Sequence, residues 1–274
     1  MSAKSASQTE SEPNALVKVV AWFGKLIITK IEDLGSFLVF LLYVLKEATH
    51  PPFRGRLIFQ QMYFLGNESL FIVLLCGFCI GAAVSLQVGT VFTLFGAQSM
   101  VGAANAKALA RELSPLMAGF LIAGRGGAAM TAEISTMKVN EQIDAMEAMA
   151  VDPVGYLVVP RLIAAVLMLP MLVAIFNVSG QFASLVIATN IFDIDIGTFF
   201  DKMLRIVSWH DVWAGLQKSL IFGAIIAVLA CRFGLNASGG AKGVGQATTN
   251  AVVTMLLVLL SVDFVITYIQ IVFK

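Results

Sequence analysis

The sequence predicts an all-α polytopic membrane protein: five transmembrane helices, an N-terminal interfacial helix and an amphipathic helix outside the bilayer. Three observations predict it. Charged residues make up 13% of the chain, whereas soluble domains average about 25%. Long uncharged runs recur, from Ser69 to Ala106 and from Leu162 to Phe192, and a spanning helix needs about 20 apolar residues. Between apolar flanks lies a polar passage, Ala123 to Pro153, in which Glu133, Glu141, Asp144, Glu147 and Asp152 face only Arg125 and Lys138. The net charge is +1 and no basic cluster stands out, so the composition argues against a nucleic-acid partner.

The elements follow in order. Met1 to Asn14 is a Ser/Glu-rich leader of disordered composition. Ala15 to Ile31 places Lys18, Lys25 and Thr29 on one face and Val19, Val20, Phe23, Ile27 and Ile31 on the other, the pattern of a helix lying in the headgroup region. Leu34 to Leu45 is apolar but too short to span alone. Lys46 to Arg56, with Pro51-Pro52, is a basic break. Residues 15–56 thus form interfacial and elbow helices, and residues 57–274 a transmembrane domain. Its spans are expected at Leu70–Thr93, Met100–Ala123, Leu162–Phe192 (with Pro170 inside), Val212–Cys231 and Ala247–Phe273. A tight turn is expected at Gly96–Ser99, an external loop at 193–211 with a short helix near Phe199–Val207, and a Gly-rich loop at Asn236–Gln246. Lysines and arginines collect on the side of the N-terminus and of the Ala123–Pro153 passage. The positive-inside rule then puts both in the cytoplasm and the C-terminus outside.

Within the passage, Val139, Ile143, Met146 and Ala150 recur at spacings of 4, 3 and 4, one face of a helix. Asn140, Asp144 and Glu147 share another face. Helices that lie on bilayers carry Lys and Arg on the polar face. This one is acidic, which suits docking to a protein partner. Asp152-Pro153 ends it, because Pro disfavours helical geometry in the residue before it.

Ionisable residues inside a span are costly and are functional candidates by default. Arg111 and Glu112 are adjacent, so they point to different partners, and Lys107 lies on the Arg111 side. A lysine–arginine pair there suits a lipid phosphate; the competing reading is helix packing. Lys218 reads either as a functional cation or as a lysine snorkelling to the interface. Asp263 needs a partner, for which Lys218 and Arg111 are candidates. Leu86-Gln87 sits among small residues that allow close helix contact. Cys76 and Cys79 have redox-motif spacing in an uncharged run, where a reactive thiolate lacks its electropositive setting. Neither glycine cluster, at Gly124–Gly127 or at Ser238–Gly243, follows a strand or carries a Gly-Lys-Ser/Thr, so no nucleotide site is expected. Neither His50 nor His210 has ligand-spaced company, so no metal is expected, and no cofactor is expected on this chain.

The motifs carry a resemblance. Arg111-Glu112-Leu113-Ser114-Pro115, Ala123-Gly124-Arg125-x-Gly127, Thr131-Ala132-Glu133-Ile134, Glu141-Gln142-Ile143, Met149-Ala150-Val151-Asp152-Pro153, Gly243-Val244-Gly245-x-Ala247-Thr248-Thr249 and Val262-Asp263-Phe264 stand in order. Over about Leu57 to the end, the chain resembles the MlaE/YrbE family. These are permease subunits of ABC transporters that move phospholipids between membranes. Lys242, Gln246 and Asn250 depart from the family pattern. The resemblance implies an inner-membrane homodimer, with ATP and Mg on a separate ATPase subunit. It also implies a periplasmic MCE-domain partner and a small STAS-domain protein. By it, residues 133–151 form the coupling helix, with Glu133, Lys138, Glu141, Asp144, Met146 and Glu147 toward the ATPase. Leu86, Gln87, Lys107, Arg111, Glu112 and Lys218 are the substrate-binding candidates. Rival readings are an ion-coupled secondary transporter, poorly served by one carboxylate and five spans, and a non-transporting scaffold.

Overall fold

The computed structural model describes residues 32, 35–49 and 54–272. The leader, the amphipathic 15–31 segment and the Pro51-Pro52 break lie outside the described residues. The chain divides into two compact units, Met1–Leu45 and Lys46–Lys274. A first helix, α1, covers residues 35–48. At 1.5 Å per residue it is about 21 Å long, short of the roughly 30 Å hydrocarbon core.

Among its described residues the second unit is built of helices joined by short turns, with no strand. Among the described residues, four helices are long and apolar enough to cross a membrane: Gly55–Leu94, Val154–Ile191, Trp209–Leu235 and Gly240–Val272. The first, α2, begins well before the expected Leu70 because Arg56 and Glu68 continue the helix beyond the apolar run. Its 40 residues reach about 60 Å, twice the hydrocarbon thickness. The expected turn follows, with Gly96 at φ 63° and a short 3-10 turn at Gln98–Met100.

The segment expected as a plain second span is built differently. It runs as α3 (Val101–Ala108), a π turn at Leu109–Leu113, α4 (Ser114–Ile122), a second π turn at Ala123–Gly127 and α5 (Ala128–Val139). Each π turn carries an arginine, Arg111 or Arg125. Single π turns inside helices are rare and gather at functional sites.

The expected amphipathic helix is also interrupted. α5 ends at Val139, Glu141 turns left-handed at φ 57°, and α6 covers only Gln142–Ala148. Ala150, again at φ 57°, closes it. The Val151 N–H donates to the Met146 carbonyl at 2.9 Å, the bond of a Schellman cap. Residues 133–151 are therefore not one helix: Glu133 and Lys138 belong to α5, while Asp144, Met146 and Glu147 belong to α6. Asp152-Pro153 proves to be a start rather than only a stop. The Asp152 carboxylate accepts the N–H groups of Val154 (3.1 Å) and Gly155 (2.7 Å), and a π turn at Val154–Val158 opens α7 (Val159–Ile191).

α8 (Ile196–Ile206) is the short helix expected near Phe199–Val207. α9 (Trp209–Leu235) and α10 (Gly240–Val272) complete the chain. The Gly-rich loop is shorter than expected, because α10 already begins at Gly240 and holds Gly243 and Gly245 inside the helix.

Packing rests on small residues. Along α2 the buried positions Leu65, Ser69, Val73, Gly77, Gly81, Ser85 and Gly89 recur every four residues and meet α7. A Cβ at Gly81 would stand 2.2 Å from the Gly180 carbonyl oxygen. Ser85 donates to Ser184 at 2.6 Å beside that crossing. In lipid there is no hydrophobic drive between helices, so such close approach and interhelical bonds supply the cohesion. At the α8 end, Val101, Ala188, Ile194 and Phe199 form a core against Phe92, Leu185, Phe192 and Met203.

Candidate functional site

The charges expected inside the second span converge on the far side of the unit from α6. The π turn at Leu109–Leu113 sends Arg111 and Glu112 to separate partners, as adjacency required. Glu112 Oε2 accepts from Lys218 Nζ of α9 at 2.5 Å. The same ammonium meets Asp263 Oδ1 at 3.1 Å and donates to Thr267 Oγ1 at 2.7 Å. Thr267 in turn donates to Glu112 Oε2 at 3.1 Å. Asp263 and Thr267 are four residues apart on α10 and so share one face. Lys218 is 0% exposed, while Asp263 is 14% and Glu112 37% exposed. The snorkelling reading of Lys218 is thereby overturned: its ammonium is drawn inward by two carboxylates and a hydroxyl. Of the two partners proposed for Asp263, the structure selects Lys218.

Arg111 turns the other way. Its Nη1 lies 3.6 Å from Asp211 Oδ1. Asp211 also caps α9, accepting from the Ser208 N–H (3.0 Å) and hydroxyl (2.9 Å). Neither Asp211 nor Thr267 was singled out in the sequence. Ser208-x-x-Asp211 before an apolar run is nevertheless a readable capping box. Thr267 has no such signal, because its role depends on which helix α10 meets.

Beside this cluster opens a cleft of about 310 Å³ lined by Ala104, Lys107, Ala108, Arg111, Glu112 and Ile271. Residues 104, 107, 108 and 111 fall on one helical face, and Ile271 comes from the end of α10. Cations and apolar carbons therefore share one opening. Leu86 and Gln87 are not there. Both are exposed on the side of α2 turned away from the Gly77–Gly81–Ser85 contact with α7.

At the other end lies the α5–α6 corner. Lys138 Nζ reaches Asp144 Oδ1 at 2.6 Å, and this bond raises the Lys138 pKa above its ordinary 10.5, helped by the nearby Glu147 charge. Ile143 is buried, Met146 half-buried, and Glu141, Asp144, Glu147 and Met149 are exposed. Glu133 pairs with Arg161 of α7 at 2.7 Å. Arg161 is 3% exposed and also donates to the Leu157 carbonyl at 2.8 Å. Arg125 pairs with Glu68 of α2 and donates to the Ser69 hydroxyl at 2.7 Å. Arg125 and Arg161 thus tie neighbouring helices to the segment that leads into α6.

A bundle of long apolar helices, a buried ion cluster beside an open cleft, and a short exposed acidic helix at the opposite end define a polytopic membrane protein of the transporter-permease class. The chain belongs to the MlaE permease family, whose description, Permease MlaE, matches residues 58–269. It is 36% identical over 252 residues to a probable ABC transporter permease protein of Rickettsia bellii, covering 92% of this chain and 97% of that one. It is 41% identical over 211 residues to a probable ABC transporter permease protein of Synechocystis, covering 77% and 80%. It is 38% identical over 226 residues to the chloroplastic protein Trigalactosyldiacylglycerol 1 of Arabidopsis thaliana, covering 82% and 63%. The chain is accordingly a permease subunit of an ABC transporter, and such a permease implies an ATPase partner. Family membership removes the secondary-transporter and scaffold readings.

Proposed function

We propose that this permease moves phospholipids between the inner and outer membranes as a homodimer, driven by an ATPase subunit docked at α6. The observation that carries the lipid reading is the cleft. Lys107 and Arg111 stand beside Ala104, Ala108 and Ile271. An Arg fork and an ammonium suit a phosphate, and the apolar wall suits its acyl chains. One relative is named for trigalactosyldiacylglycerol, itself a lipid. Glu112 is bound to Lys218, so its part is to hold the π turn and aim Arg111 rather than to touch ligand. Leu86 and Gln87, exposed on α2, would serve at the surface between protomers.

α6 supplies the docking surface. Its exposed acids and Met149 suit a groove with basic and apolar lining, and Ile143 anchors it to the bundle. Displacement of α6 would pass through α5, whose Glu133 grips Arg161 of α7. The α8 end faces outward in this reading and would meet an MCE-domain partner.

The test is lipid transfer from vesicles holding the permease with its ATPase subunit. Vanadate-sensitive transfer that falls in Arg111→Ala supports the assignment, and transfer without ATPase contradicts it. Glu141→Lys with Glu147→Lys should abolish copurification of the ATPase; unchanged copurification removes α6 as the docking site.

A further inference from the structure

A second opening lies on the other side of α3 from the charged cleft. The cleft uses residues 104, 107, 108 and 111; this groove uses 106, 109 and 110, about 200° around the helix at 3.6 residues per turn. It holds about 300 Å³. Ala106 and Ala110 form one wall, Ala174 and Val178 of α7 the floor, and Val212 and Leu216 of α9 the other wall. Alanines at three of these places leave the space that larger side chains would fill.

The groove has a top and a direction. Its upper end is crossed by α8, since Gln181 Nε2 of α7 reaches Met203 Sδ at 3.3 Å and the Gly102 carbonyl at 3.2 Å. At the α8–α9 corner Trp209 is 74% and Trp213 47% exposed. Exposed tryptophans at the start of a spanning helix mark the headgroup level. From there the groove descends along α7 from Gln181 to Ala174, about 10 Å at 1.5 Å per residue. α7 and α9 both meet the length and composition of membrane spans, so hydrocarbon rather than water lies against the open side.

Size selects the occupant. About 300 Å³ spread over about 10 Å gives a cross-section of about 30 Å². That is narrower than a helix about 10 Å across, which covers about 80 Å², so one polymethylene chain lies within the groove where a whole helix would stand out of it. The amides in the wall already face protein: Asn177 accepts from Ser114 at 2.8 Å, and Gln181 donates as described.

We propose that this groove seats a single acyl chain of a bilayer lipid in the leaflet on the α8 side, with its headgroup at the level of Trp209 and Trp213. The site is separate from the Lys107–Arg111 cleft and does not depend on the direction or the substrate of transport.

The test uses the full-length chain in nanodiscs of phosphatidylethanolamine and phosphatidylglycerol, doped with a phosphatidylcholine that carries a diazirine midway along one acyl chain. After irradiation, adducts are mapped by mass spectrometry. Adducts at Val178 and Leu216 should exceed those at the exposed controls Leu167 and Leu257 by about tenfold, the ratio one decade in Kd gives. Ala174→Leu, at an exposed position, fills the floor and should bring the groove adducts down to the control level. Val178→Phe at the rim should do the same. An even spread over all membrane-facing positions would show annular lipid only and overturn the proposal. So would groove adducts that persist in both variants.

Discussion

Replacing Lys218 by methionine removes the one cation between Glu112 and Asp263 while keeping the volume of the stem. The structure supplies the magnitude. Lys218 is fully buried, and its ammonium is shared by two carboxylates and Thr267. Breaking a buried pair from one side costs about 3–5 kcal/mol, because the partner charge is left uncompensated. Glu112 is more than a third exposed, so its share is screened and the low end, about 3 kcal/mol, is expected. At about 2–4 °C per kcal/mol for a chain of this size, the midpoint of thermal unfolding in nanodiscs should fall by roughly 6–12 °C. The triple variant Lys218→Met, Glu112→Gln, Asp263→Asn removes the whole cluster. Replacing a complete buried ion group by neutral residues is often neutral or stabilising, so the triple variant should recover most of the loss. If it unfolds as early as the single variant, charge compensation is not what these residues do, and the reasoning fails.

Gly81→Ala would place a methyl 2.2 Å from the Gly180 carbonyl oxygen; overpacking of this kind costs about 1–3 kcal/mol, read as a lower unfolding midpoint, and an unchanged midpoint would show that α2 and α7 do not depend on this approach. Ala150→Gly should stabilise by about 1 kcal/mol, since Ala150 sits at φ 57° where a Cβ is disfavoured; a loss of stability would contradict the cap. For Lys138 the sign is set by its raised pKa, caused first by the bond to Asp144. Its contribution is complete below the unfolded value and is lost as pH rises through the folded one, so loss begins only above 10.5. Titration of a ¹³Cε-labelled Lys138 should give a midpoint above 10.5, and one at or below it would remove the ion pair from solution.

Much of the site is legible in the sequence. The cost of charge in hydrocarbon alone singled out Arg111, Glu112, Lys218 and Asp263, and adjacency alone sent Arg111 and Glu112 apart. Partnership was not readable. Lys218 was open to two readings because snorkelling and burial differ only in what lies opposite, and α10 is brought opposite by packing more than 40 residues later in the chain. Residues 133–151 read as one helix in the sequence for a local reason. Val139, Ile143, Met146 and Ala150 keep helical spacing even though the backbone reverses at Glu141 and Ala150, since periodicity reports faces and not the φ of single residues.

By itself the sequence determined that the chain is membrane-embedded and all-helical, where most helices run, and which residues are too costly to be idle. Those properties follow from local composition and from transfer free energy, which each segment carries alone. Only the tertiary structure decided that the stretch after the first long helix is stepped by two π turns, that Asp211 and Thr267 join the charged cluster, and that an apolar groove lies behind it. Each of these depends on contacts between segments distant in sequence, where small residues let helices touch and so set which side chains meet.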